Sequence, residues 1–312
     1  MKKSIVVAVS VVTLVGLVVT FDAQRKNIKE STVATLESRT ETISRYLSML
    51  LLNVTSLRNT ANLAYLSYQS TVDTDALTPY IQHYPELKVY TLDLGHVLDK
   101  VDDLSYGTLS VMDDVSIETL AKNKDLDVVK HLIPQMGSIV LEPAIEWAYI
   151  ISSDKFIYLT PRVGVEQFHV SESVYASAMW TSMNEENNPE RERRLFAPYN
   201  DAAGKGIMLT ISSPLYDDED VFRGVIAMDV SVRTIIEMLS IGLDTGESVI
   251  FDEEDNVVND KGEIFALKDF TRKLVSKLDA NFHEDEEGYQ ITHTLIDEEL
   301  YISHSFTYSE LN

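Results

Sequence analysis

Tyr199-Asn200-Asp201-Ala202-Ala203-Gly204-Lys205-Gly206 runs straight into the apolar segment 207–213, and a second apolar segment closes on Gly224-Val225-Ile226-Ala227-Met228-Asp229. Both segments have the β-branched, apolar content of buried strands, and the glycine-bearing stretch ahead of the first reads as a turn. Two carboxylates, Asp201 and Asp229, therefore stand at strand edges, with the aromatics Trp180 and Tyr199 upstream. Two ionised carboxylates in one partly buried pocket repel, and a cation between them relieves the repulsion. A ligand ammonium does this through charge-assisted hydrogen bonds, and aromatic faces add cation–π attraction of about 0.5–2 kcal/mol. A plainer reading stands beside this one: Asp201 caps its turn, Asp229 ends a strand, and Lys205 neutralises Asp201.

Working outward, 147–152 and 156–160 are apolar runs separated by Ser153-Asp154-Lys155, the pattern of a β-hairpin. Residues 171–182 have helical spacing, 184–194 form a polar loop, and 216–220 are an acidic turn between the two later strands. Upstream, 89–94 and 107–112 read as short strands and 116–132 as a helix. Downstream, 232–241 reads as a helix leading out of this unit. A second strand–turn–strand follows at 248–258, then a helix at 265–278 and alternating strands at 289–295 and 300–308. Two α/β units, each opening with a hairpin, make a faint internal repeat.

The N-terminal part has a different character. Lys2 and Lys3 precede 4–21, which carries no charge, and Asp22, Arg25 and Lys26 follow. Eighteen helical residues span ~27 Å, the thickness of one bilayer core. A cleaved signal peptide is the rival reading, but its apolar region is usually shorter. The lysines place the N-terminus in the cytoplasm and residues 22–312 outside it. From Leu36 a 4-3 spacing runs Leu36, Thr40, Ile43, Leu47, Leu50, Val54, Leu57, Ala61, Ala64, with no Gly or Pro between Gly16 and Pro79. One long helix rises from the membrane, its stripe either dimerising as a coiled stalk or packing against its own domain.

Composition limits the chemistry. In 312 residues, 45 % apolar content supports real cores, and a net charge of −24 disfavours nucleic acid and anionic lipid as partners. The absence of cysteine excludes disulfides, a thiolate nucleophile and Cys-ligated metal. Gly204-Lys205-Gly206 lacks the spacing of a phosphate loop. Residues 252–263 have the length of a calcium loop, but Val257 stands where the sharp turn needs Gly. The seven histidines are scattered, with only His293 and His304 on neighbouring strands. No cofactor and no metal site is expected.

The stretch 147–232, about a quarter of the chain, resembles double Cache domains, the extracytoplasmic sensor modules of bacterial receptors. The resemblance is carried by the hairpin 148–162, Trp180, Asn187-Asn188-Pro189-Glu190-Arg191, Phe196-Ala197-Pro198-Tyr199, the Asp201–Gly206 turn and Gly224-to-Val230. It implies two tandem PAS-like units, the membrane-distal one binding a ligand and the membrane-proximal one relaying it. Amino-acid-binding members carry a Trp, then Tyr-x-Asp, then an Asp closing a later strand. Those positions fall here on Trp180, Tyr199-Asn200-Asp201 and Asp229, with the aspartates on the ligand's amino group. The Arg that binds the ligand carboxylate in that family, two residues before the Trp, is Ala178 here, which shifts the expectation towards amines. Arg162 and Tyr158, from the hairpin region, complete the candidate set.

The expected fold is thus α+β, with two PAS-like domains built on antiparallel sheets. A cytoplasmic tail (1–3), a transmembrane helix (4–21) and a stalk helix (22–70) lead to a distal ligand-binding domain (71–238) and an incomplete proximal one (239–312). The expected function is the sensor region of a receptor in the bacterial inner membrane, homodimeric through the stalk and non-catalytic in these residues. Its output module is absent from the chain; a diguanylate cyclase is favoured from the wording of the Asn-Asn-Pro-Glu-Arg and Asp-Ala-Ala-Gly-Lys-Gly segments, then a chemoreceptor or histidine kinase. The rival classes are a membrane-anchored periplasmic hydrolase using Asp201 and Asp229 as acid and base, and a scaffold or adhesion protein built on the stalk.

Overall fold

The computed structural model describes residues 2–68, 80–92, 107–121, 123–243, 246–252, 256–259, 263–266, 282–284, 288–296 and 300–307, with backbone alone at 2–18, 21–22, 121, 265–266, 282–284, 288–289, 296 and 306. Helix α1 (Lys2–Ser67) is continuous over 66 residues. The anchor expected at 4–21 lies, except at 19–20, outside the residues whose side chains are described; among the described residues no helix is long and apolar enough to cross a membrane. The chain divides into two compact units, one formed mainly by Tyr46–Ile235 and the other by Met1–Arg45 together with residues from Ile236 onward.

The larger unit is built on an eight-stranded antiparallel sheet. Its strands are β1 (Gln82–Tyr84), β2 (Val89–Leu92), β3 (Thr108–Met112), β4 (Ile145–Ser152), β5 (Phe156–Thr160), β6 (Arg194–Asn200), β7 (Ile207–Tyr216) and β8 (Phe222–Ser231), in the spatial order β1-β2-β3-β5-β4-β8-β7-β6. The long strands β4, β8 and β7 lie side by side inside the sheet, none of them at an edge, and are buried almost throughout, because both faces of the sheet are covered. Gly224 is required where β8 crosses β4: its φ is +147°, and a Cβ there would lie 2.1 Å from the Ile151 carbonyl oxygen.

One face of this sheet is covered by α1 and by α3 (Lys124–Ile139). Arg58 on α1 donates to Ser213 Oγ at 3.2 Å, Arg193 donates to Thr55 Oγ1 at 3.2 Å, and Tyr65 donates to Asp125 of α3 at 3.0 Å. The single helix expected at 116–132 is two, α2 (Ile117–Ala121) and α3. The Asn123 side chain accepts the Leu126 N–H at 3.0 Å and starts α3 afresh, with Asp125 and Asp127 in its positive first turn. The other face is covered by 163–188, which contains α4 (Glu172–Tyr175) and α5 (Ala178–Met183). The helical spacing of 171–182 is likewise broken, by Ser177, whose hydroxyl accepts the Trp180 N–H at 3.2 Å.

The 4-3 stripe on α1 is buried within the chain: Leu36, Leu50, Val54, Leu57 and Ala61 are all at 0 % exposure. Of the two roles open to that stripe, packing against its own domains is the one the structure shows. A different run, Met49, Leu52, Leu63 and Leu66, faces outward.

The second unit carries α6 (Val232–Ser240) in part, and a six-stranded antiparallel sheet of β9 (Glu247–Asp252), β10 (Asn256–Asn259), β11 (Ile264–Ala266), β12 (Phe282–Glu284), β13 (Gly288–Ile296) and β14 (Leu300–Thr307), ordered β11-β10-β9-β14-β13-β12. Phe251 and Tyr301 stack across β9 and β14 at 5.2 Å over Val249 and Val257. The helix expected at 265–278 lies outside the described residues except at 265–266, which belong to β11. His304 bonds Ser248 at 2.9 Å, and no group of metal-ligating side chains forms among the described residues.

Candidate functional site

Period-two alternation decides which side chains share the face opposite α1. Ser213 and Arg193 reach α1, so their neighbours Ser212 and Arg194 point the other way. Cα register then lines up Thr210 with Asp229, Ser212 with Ala227, Trp147 with Asp229 and Tyr149 with Ala227 on that outer face. Trp147, Tyr149, Ile151, Ile157, Leu159 and Ala227 form its apolar floor, and Val163, Val165 and Val170 close over them.

Asp229 sits at one end of this floor, 3 % exposed. Its Oδ1 accepts from Tyr149 at 3.0 Å and from Thr210 at 2.7 Å, and its Oδ2 accepts from Tyr199 at 2.8 Å. A carboxylate offers about four acceptor positions, so one on Oδ2 remains. Burial pushes the Asp229 carboxyl up to about 6; the three hydroxyl bonds oppose this and the field of Asp201 adds to it. The hydroxyls of Tyr149 and Tyr199 are pushed well above the usual phenol range, chiefly by burial and then by the charge of Asp229. All the donors to Asp229 are neutral. Tyr199 is 36 % exposed overall, so its ring edge meets solvent while its hydroxyl is inside.

Asp201 makes the turn expected of it. Its N–H donates to Gly206 O at 2.9 Å, and its Oδ2 accepts the Lys205 N–H at 2.9 Å. The Lys205 ammonium pairs with Glu146 at 3.3 Å and lies 5.3 Å from the Trp147 ring centre, so a cation already rests at the edge of the face beside Asp229.

The other three candidates stand elsewhere. Trp180 covers the same face but is turned towards Phe222, 5.4 Å away edge-on, and Tyr175, 4.9 Å away. Phe222 begins β8, seven residues and ~23 Å along the strand from Asp229. Tyr158 is on the helix-covered face, because it alternates with Leu159. Its hydroxyl accepts the Gly107 N–H at 2.9 Å, and burial pushes it up to about 12. Arg162 follows the cis Thr160–Pro161 bond in a segment that Thr108 ties to β3, three strands from β8. Tyr149 and Thr210, which bond Asp229, and Trp147, its register partner, are residues that the sequence did not single out. Their alternation was visible, but the register that sets them against Asp229 was not.

No family model matches the chain, and no curated protein matches it. Solved structures do. The ligand-binding domain of the Pseudomonas aeruginosa PAO1 amino acid chemoreceptor PctB, in complex with L-Gln, is 14 % identical with a TM-score of 0.50, covering 88 % of this chain and 89 % of that one. The ligand-binding domain of the Pseudomonas fluorescens chemoreceptor CtaA, in complex with L-isoleucine, is 14 % identical with a TM-score of 0.53, covering 92 % and 96 %. At this identity the likeness is one of fold. The chain has the mixed helix and antiparallel-sheet fold of double Cache sensor domains.

Proposed function

We propose that this chain is the sensor region of a bacterial membrane signalling receptor, and that its larger unit binds a small amine-bearing ligand at Asp229. The observation that carries the reading is a carboxylate buried among hydroxyls, with no cation paired to it among the described residues and an acceptor position unused. An ammonium fills that position and supplies the missing charge, while Trp147 and Tyr199 offer aromatic surface. That the PctB and CtaA domains hold L-Gln and L-isoleucine supports a ligand of this kind. The apolar segment 4–21 anchors the chain with residues 22–312 outside the cytoplasm. Two copies pair along the outward run Met49, Leu52, Leu63 and Leu66, whose spacing continues through Ser56 and Asn59 in a 3-4 repeat. Ligand binding biases the dimer, and α1 carries the change towards an output module, a diguanylate cyclase before a chemoreceptor or a kinase.

Calorimetry of the purified chain against amines, amino acids and organic acids tests the ligand. An amine binds best, and Asp229→Ala loses about 2–5 kcal/mol of binding. A best ligand that is an anion and binds Asp229→Ala unchanged overturns the reading. Light scattering tests the pairing: Leu52→Glu with Leu63→Glu gives monomer where the parent gives dimer.

A further inference from the structure

The cover over the outer face and the helix on the opposite face are joined around one edge of the larger sheet. Strand β6 stands at the end of the sheet order, and the loop 184–193 leads into it from α5. At the cover end, Met179 Sδ of α5 lies 3.6 Å from the Tyr149 hydroxyl, the same hydroxyl that holds Asp229. At the other end, Arg193 Nη1 donates to Thr55 Oγ1 of α1 at 3.2 Å, and Arg58 of α1 donates to the Arg191 carbonyl at 3.4 Å. The loop between them is stiff. Asn187 Nδ2 donates to the Thr181 carbonyl of α5 at 2.8 Å, and Arg194 donates to the Asn187 carbonyl at 2.8 Å. Asn188 is 2 % exposed and bonds Glu192 twice, giving its Nδ2 to the Glu192 carbonyl at 2.8 Å and accepting the Glu192 N–H at 3.1 Å. A buried amide satisfied at both ends by the backbone of one residue fixes 188–192 as a unit. A displacement of α5 therefore reaches Arg191 and Arg193 with little absorbed on the way.

We propose that the loop 184–193 is a strap, through which the cover and residues 51–58 of α1 open and close as one cooperative unit. Where the outer face takes a ligand at Asp229, the strap is the place at which that event enters α1. This last step rests on the reading of Asp229; the strap itself does not.

The test is amide hydrogen exchange on the purified full chain without any ligand, because linked openings respond in both directions. Arg193→Gln raises exchange across 171–183 at least about twofold, and Met179→Ala raises it across 51–58 by a similar factor. Thr55→Val removes the acceptor of Arg193 on α1 without touching the loop, and it acts on 171–183 as Arg193→Gln does. Exchange in β2 and β3, towards the other edge of the sheet, keeps the parent's rate in all three variants, and thermal melts confirm that they fold. If Arg193→Gln and Thr55→Val leave 171–183 at the parent's rate, or if Met179→Ala leaves 51–58 there, the strap is overturned and the calorimetric reading of Asp229 is unaffected. A rise that includes β2 and β3 equally is a general loosening and overturns it as well. Calorimetry that finds no amine removes the reading of Asp229 and leaves the strap in place.

Discussion

Against the helix-covered face of the eight-stranded sheet, Asp125 meets a guanidinium, with Arg223 Nε at 2.8 Å; on the outer face Asp229 meets three hydroxyls. Both carboxyls are buried, and burial raises both above the usual range. Their surroundings differ in what they complete. Arg223 also holds Asp154 at 2.9 Å, Tyr65 and Ser152 donate to Asp125, and Asn123 donates to Asp154 at 2.6 Å. That network closes on itself and joins α1, α3, β8 and the β4–β5 turn. On the outer face, among the described residues, none of the groups bonded to Asp229 carries a positive charge. A buried charge needs a cation or a proton, so the first arrangement is complete within the fold, and the second fits the ligand role proposed for it.

The largest effect comes from opening the closed network. Arg223→Met leaves Asp125 buried without its cation and costs about 3–5 kcal/mol, read as a lowered urea midpoint. A loss below about 1 kcal/mol erases the contrast between the faces.

Asp229→Asn has the opposite sign. The folded pKa lies near 6 and the usual value is 3.8, so the folded protein binds this proton more tightly than the unfolded chain. Keeping Asp229 ionised costs up to about 3 kcal/mol above pH ~6, and the cost disappears as pH falls towards ~4. The variant therefore melts higher than the parent at neutral pH, and the two converge in acid. It loses amine binding altogether, and the parent's affinity for an amine falls by up to about tenfold per unit as pH drops below ~6. A variant that melts lower at neutral pH makes Asp229 a structural group like Asp125.

The smallest effect is at Lys205. Its ion pair with Glu146 is 45 % exposed on the lysine side, so Lys205→Met changes stability by less than about 1 kcal/mol. Amine affinity rises a few-fold, because a competing cation leaves the edge of Trp147. Unchanged affinity in calorimetry separates Lys205 from the site.

The hairpin β4–β5 and the strands β7 and β8 were legible because apolar runs flank short polar turns, and Asp229 was legible as a carboxylate ending such a run. Strand β6 was not: Pro198 and the exposed Ala197 and Tyr199 read as loop, and only pairing with β7 makes them a strand. Trp180 was misplaced for a similar reason. Its residue type was legible, but its place, at the far end of β8 from Asp229, follows from the break at Ser177 and from Phe222, distant in sequence. Tyr158 failed on parity: it lies one residue from Leu159, and only the position of α1 and α3 says which parity faces the ligand.

Within β6, three residues span Phe196 to Tyr199 where β7 needs two, Thr210 to Met208. Strict alternation would turn Tyr199, three residues on, to the face opposite Phe196; the bulge takes up the odd residue and keeps both on the same side. The phenol that closes over Asp229 is thus delivered by counting rather than by chemistry. Deleting Ala197 leaves two residues from Phe196 to Tyr199, matching β7, so it removes the bulge and keeps Tyr199 on the side of Asp229. Substitution at 197 and its loss should both be tolerated, so in lineages of this chain β6 is expected to vary at this position while the side that Tyr199 faces stays fixed.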